Sequence, residues 1–139
     1  MGNVKKTTAE KRAPAKSAAL APDPVPEAIV RAAREDALLR SRVYLTDRRR
    51  RAILCDGEVV GFVTPHETPS GWRAGPIFVL PAYRGRGLVE AFYASHPDRT
   101  WVAFVPSGKP ASRVMHTKAG FKKWKDSTHG VWMKREPLK

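Results

Sequence analysis

Apolar and polar positions along this chain change period several times, and each change marks an element. "AILCD" and "EVVGFVT" are short apolar runs flanking Asp56-Gly57. That dipeptide favours a two-residue hairpin turn because both residue types tolerate positive φ. "PHETPSG" reads as a polar loop. "WRAGPIFVL" reads as a third strand, with Pro76 marking a local irregularity because proline cannot donate to a strand ladder. "RGLVEAFYASH" shows helical spacing and is ended by Pro97, and "TWVAFVP" is a buried strand. "KPASRVMHTKAG" is a further helix, with Gly120 as its C-terminal cap. "FKKWKDS" and "GVWMKRE" alternate around Thr128–Gly130 and read as a closing hairpin, aromatics inward and lysines outward. Ahead of the meander, Glu27 to about Arg42 follows a proline and carries Val30, Ala33 and Ala37 at helical spacing. "RVYLT" extends that helix or forms a short strand. "RRRR" (48–51) is the exposed start of a strand or, alternatively, an anion patch.

The predicted order is helix, three antiparallel strands, helix, strand, helix, hairpin. This is an α/β (α+β) domain with a mixed, mostly antiparallel sheet. Its central strand–helix–strand unit implies a locally parallel pair, so the sheet has to splay or switch where that unit joins the meander.

Composition sharpens the boundaries. The 139 residues suit one domain. Residues 1–26 hold no aromatic and are rich in Lys, Ala and Pro, which reads as a disordered basic tail preceding a domain at 27–139. The tail either solubilises the protein or acts as an arm toward nucleic acid or an acidic partner. A net charge of +13 implies an anionic partner, whether a phosphorylated cofactor, nucleic acid or an acidic protein surface. Cys55 is the single cysteine, which excludes an intramolecular disulfide and a cysteine-based metal site. It reads as a small core hydrophobe. No apolar run approaches a membrane span, and "SAALA" is too short for a signal peptide, so a soluble cytoplasmic protein with no membrane partner is expected.

The chemistry concentrates in "VLPAYRGRGLVEAFYA", where an apolar strand enters a basic, glycine-broken turn and then a helix. The first amides of a helix have no internal acceptor, and the dipole is positive there. Gly85 and Gly87 leave backbone bare beside those amides, and Arg84 and Arg86 add charge, so the turn is built to seat an anion.

"VLPAYRGRGL", followed by "SRVMHTKAGF", resembles the GNAT superfamily of acyl-CoA-dependent N-acyltransferases over about residues 51–135. The resemblance implies a turn that cradles the pyrophosphate of acetyl-CoA. Arg84 takes the Arg/Gln place, Gly87 the invariant-type glycine, and Leu88 and Val89 follow, with Gly85 and Arg86 between. It further implies that Val79 on the preceding strand, and Lys109 and Ser112 on the later helix, lie beside the cofactor. Three departures stand out. Val89 replaces the usual Gly or Ala. Lys109 and His116 replace the family's Asn and Tyr. The front of the fold looks abbreviated.

Transfer to an amine needs a neutral nucleophile and a proton for the leaving thiolate. A lysine amine of pKa about 10.4 is neutral in roughly one molecule in a few thousand at pH 7, and an α-amine near 8 in about one in ten. The resemblance places the base on the third meander strand, but "AGPIFVL" has no carboxylate. His66 and Glu67, just before it, are the nearest candidates. His116 stands where the family's tyrosine gives a proton to sulfur, and an imidazolium with pKa near 6.5 suits that task. The expected activity is transfer of an acetyl group from acetyl-CoA to a primary amine of a protein or small molecule, by direct transfer in a ternary complex. The alternative is a GNAT-fold binding or architectural protein that uses its basic surface on nucleic acid or within an assembly. Trp72, Trp101, Trp124 and Trp132 read as core or groove lining rather than as platforms for stacked bases.

Overall fold

The computed structural model describes residues 20–21, 25–37 and 39–138. Most of the tail, and the reading of it as disordered, lies outside these residues. Within it, Leu20–Ala21 are described and form a short strand, β1, antiparallel to the strand Arg51–Cys55 (β2). The backbone groups along the edge of β2 thereby gain partners from a stretch that composition assigned to the tail.

Helix α1 spans Glu27–Arg34 and stops well short of Arg42; residues 35–37 and 39–50 form turns and coil. Ala37, which continued the helical spacing, lies beyond its end. β2 turns into β3 (Glu58–Val63) through Asp56 and Gly57, at φ 53° and 84°, as the dipeptide predicts. The stretch read as a polar loop instead forms β4 (His66–Thr68), paired antiparallel with β5 (Gly71–Arg73).

The expected third strand is two strands in two different sheets. β5 runs parallel to β7 (Trp101–Pro106) through Trp72 and Trp101. After a cis Gly75–Pro76 bond, β6 (Phe78–Val79) pairs instead with β3. The four-stranded sheet has the order β1-β2-β3-β6. The five-stranded sheet has the order β4-β5-β7-β9-β8, in which β8 is Lys122–Ser127 and β9 is Gly130–Arg135. β6 and β7 therefore diverge.

Two cores result from the strand period of two. Phe62 and Phe78 are register partners and face α1, packing with Ile29, Val30, Ala33 and Val43. Ile53, Val63 and Val79 face the other way. They join a larger core with α2 (Leu88–Ala94), β7 and Phe121, which follows helix α3 (Pro110–Lys118). Helices thus cover both faces. Gly61 permits the β3–β6 contact, since a Cβ there would lie 2.2 Å from the Phe78 carbonyl oxygen.

Arg135 on β9 is 1% exposed yet, among the described residues, meets no carboxylate within ion-pair distance. Its guanidinium donates to the carbonyls of Tyr93 (2.8 Å), His96 (2.6 Å) and Arg99 (3.2 Å). It thereby satisfies acceptors at the C-terminal end of α2, where a cation is electrostatically favoured. The expected inward alternation fails on β8, whose residues are all exposed. Trp124 there is 37% exposed and carries Lys125 and Lys134 over its ring.

Candidate active site

A cavity of about 480 Å³ occupies the gap between the diverging strands, with Ile77–Val79 on one side and Val102–Phe104 on the other. By the alternation of an antiparallel ladder, Phe78 and Leu80 bond to β3 while Val79 turns its N–H and C=O toward the gap. Two contacts fit this: Leu80 N–H donates to Val60 O at 2.8 Å, and Val79 O accepts from Arg84 Nε at 2.7 Å.

The glycine turn reaches the same cavity. A single 3₁₀ turn, Pro81–Tyr83, leads to Gly85 and Gly87, at φ 80° and 78°. These are left-handed positions that favour glycine on backbone grounds alone. At either residue a Cβ would meet nothing within 4 Å, so the surface they leave bare is free. Gly87 caps α2 through its carbonyl, which accepts from Ala91 N–H at 2.9 Å. The amides of Leu88, Val89 and Glu90 have no acceptor within the helix. Of the two arginines, Arg84 lines the cavity but is folded back, its guanidinium bonded to Val79 O and 5.5 Å from the Phe78 ring. Arg86 does not line it. Its guanidinium lies over the Tyr83 ring and donates to Cys55 Sγ at 3.3 Å. The turn's arginines therefore brace its frame, and the first amides of α2 are left without a side-chain cap.

α3 supplies the opposing wall. Val79, Leu88, Val89, Lys109, Ser112 and His116 all line the cavity. Lys109 Nζ is paired with Asp36 Oδ2 at 3.2 Å. His116 is 4% exposed. Its Nδ1 lies 2.8 Å from Ser112 O, and since a carbonyl only accepts, Nδ1 carries the proton. In the neutral ring Nε2 then accepts from the Tyr93 hydroxyl at 3.2 Å. Desolvation pushes the His116 pKa below the ordinary histidine value, with the Ser112 carbonyl opposing it in part. The imidazolium expected from the sequence is thus disfavoured; near neutral pH the ring is uncharged with one proton-accepting nitrogen. Burial likewise pushes the Tyr93 phenol above its ordinary value.

The two loop candidates for a base are not in the cavity. His66 and Glu67 lie on β4; the His66 ring bonds to Thr64 O at 2.7 Å, and Glu67 is exposed. The carboxylates that do line the cavity are Asp36, just beyond α1, and Glu90, in the first turn of α2. Tyr93, Arg42 and Arg73 also line it, and sequence reasoning singles out none of the five. Among the described residues no cluster of three or more His, Cys, Asp or Glu side chains could hold a metal ion. No described helix is long and apolar enough to cross a membrane.

No protein-family model matches the chain, and no curated protein does either. Solved structures do. A protein of Klebsiella pneumoniae assigned to the acyl-CoA N-acyltransferases aligns with a TM-score of 0.60 at 17% identity, over 84% of this chain and 94% of its own. An acetyltransferase of Thermus thermophilus aligns with a TM-score of 0.58 at 22% identity, over 84% and 95%. The PaiA N-acetyltransferase of Thermoplasma acidophilum, solved in complex with coenzyme A, gives 0.52 at 15% identity, over 63% and 59%. The splayed mixed sheet with helices on both faces is the GNAT acyltransferase fold. At these identities the likeness is one of fold.

Proposed function

We propose that this protein is an acyl-CoA-dependent N-acyltransferase that uses acetyl-CoA and passes the acetyl group directly to a primary amine bound in the same cavity. The observation that carries this reading is that one cavity joins the glycine turn, the gap-facing edge of β6 and the His116 face of α3. Those three parts are separated by up to 37 residues of sequence between Val79 and His116.

The residues fit such a co-substrate. The bare surface at Gly85 and Gly87, with the first amides of α2, seats a pyrophosphate. The gap-facing N–H of Val79 is placed to pair with an amide-bearing arm lying along β6. When bound, acetyl-CoA supplies the thioester carbonyl that a neutral amine attacks. His116 handles the proton: neutral at physiological pH, it accepts a proton at Nε2 once the Tyr93 hydroxyl rotates aside, and it can return that proton to a leaving thiolate.

Calorimetric titration of the full chain with acetyl-CoA, followed by thiol release with candidate amines, tests the reading. Saturable binding and amine-dependent release are expected. No binding by the wild type at millimolar acetyl-CoA would overturn it.

A further inference from the structure

Four arginines carry a buried Nε with no hydrogen-bond partner: Arg50, Arg73, Arg86 and Arg135. In three of them at least one other guanidinium nitrogen donates within the protein. Arg50 donates to the carbonyls of Tyr44 and Leu45, Arg86 to Cys55 Sγ, and Arg135 to three carbonyls. Arg73 differs. Among the described residues it has no hydrogen-bond acceptor and no carboxylate partner. It rests on the face of Trp132 at 5.1 Å; burial, and secondarily the charge of Arg42, push its pKa below the ordinary arginine value. Both arginines line the cavity.

A guanidinium whose Nε is buried without an acceptor is costly to maintain. The arrangement is relieved by an anion. Arg73 ends β5, before the chain crosses to the other sheet, whereas the phosphate-seating turn follows β6. Tyr93, whose hydroxyl holds His116, lines the same cavity as Arg73. Arg73 belongs to the five-stranded sheet, whereas the coenzyme phosphates are assigned to the turn that follows β6 of the four-stranded one, and the acetyl thioester is uncharged. An anion at Arg73 has to arrive with the acceptor.

We propose that Arg73, with Arg42 beside it, is an anion-binding subsite that selects acceptors bearing a carboxylate or phosphate within a few bonds of the amine. This rests on the acyl-transfer reading above. Arg73's planar fork suits two-point capture of either oxyanion, and its Trp132 platform fixes the plane.

The test compares paired acceptors on the full chain with acetyl-CoA: glycine against glycinamide, and 2-aminoethyl phosphate against ethanolamine. The anionic member of at least one pair is expected to exceed its neutral partner about tenfold or more in kcat/KM, and that pair names the anion. Arg73→Gln should bring the ratio toward one while the calorimetric affinity for acetyl-CoA stays the same, and Arg73→Lys should keep part of the preference. Neutral acceptors used as well as anionic ones, an undiminished preference in Arg73→Gln, or turnover of neither anionic amine by a protein that binds acetyl-CoA would each overturn the subsite alone. A wild type that binds no acetyl-CoA overturns the subsite and the acyl-transfer reading together.

Discussion

Replacing Gly87 by glutamate separates the two demands that the turn makes on that residue. The first is conformational. At φ 78° any L side chain is strained, at about 1–2 kcal/mol. A Cβ meets nothing within 4 Å, so no clash adds to this. For a domain of this size the melting temperature should fall by roughly 4–8 °C, with the circular dichroism spectrum otherwise preserved. The second demand is electrostatic. The new carboxylate stands before the free amides of α2, where it can take their hydrogen bonds and repel a phosphate. Losing two charge-assisted bonds at about 1.5–3 kcal/mol each gives roughly 3–6 kcal/mol, or about 10²–10⁴-fold in Kd for acetyl-CoA. Gly87→Asn is the control, because asparagine tolerates the left-handed region and brings no charge. It should cost less stability and far less affinity. Both are read by calorimetric titration alongside thermal melts. A Gly87→Glu protein that is folded and binds acetyl-CoA within about threefold of wild type would refute the placement of the pyrophosphate on this turn.

The neutral form of His116 is favoured in the fold, so its stabilising contribution is complete above the ordinary histidine pKa of about 6.5 and is lost as pH falls through its lower folded value; thermal melts from pH 8 to 5 should therefore fall more steeply for wild type than for His116→Gln, and equal slopes would count against the buried neutral ring. His116→Phe should also lower turnover by about 10²-fold with acetyl-CoA affinity little changed. Gly61→Ala forces a Cβ against the Phe78 carbonyl, so it should cost about 1–3 kcal/mol and weaken acetyl-CoA binding by displacing β6; an unchanged melt would mean that β6 yields freely. Deleting residues 1–22 removes the β1 pairing and should cost about 1–2 kcal/mol, whereas deleting 1–18 should leave the melting temperature unmoved.

The elements legible in the sequence are those whose cause is local. Asp56-Gly57 specifies its hairpin through two positive φ angles, Pro97 ends α2, and the unbroken apolar run of "TWVAFVP" follows from burial on both faces. The glycine turn is equally readable as a strand–turn–helix, since strand, glycines and helix follow one another without interruption. What stays hidden depends on where distant segments meet. "WRAGPIFVL" reads as one strand because each half is apolar, yet Trp72 pairs toward β7 and Phe78 toward β3, and only the tertiary fold separates them. His66 and Glu67 are near the third strand along the chain, but their own strand lies at the far edge of the five-stranded sheet. Asp36, Arg73 and Tyr93 come from a helix end, a strand end and a helix interior. Each looks ordinary in its own segment, and only the splay brings them to one cavity. The role of Arg86 is obscured for a related reason: charge is visible in sequence, but the Tyr83 ring and Cys55 that hold it are not.

The guanidinium of Arg135 imposes an order on how the protein becomes functional during synthesis. The helix that follows the glycine turn and carries Tyr93 ends in carbonyls, at and just beyond its last turn, whose donor lies about forty residues downstream, on the strand that lies inside its sheet between β7 and β8. While that strand is still within the ribosome, β7 lacks one of its two neighbours and the carbonyls at the C-terminal end of α2 lack their cation. A nascent chain stalled before residue 130 can display the whole glycine turn and still hold it on an unanchored helix. Competence to bind a coenzyme should therefore appear in a single late step, when Arg135 docks, rather than accumulate as the chain grows.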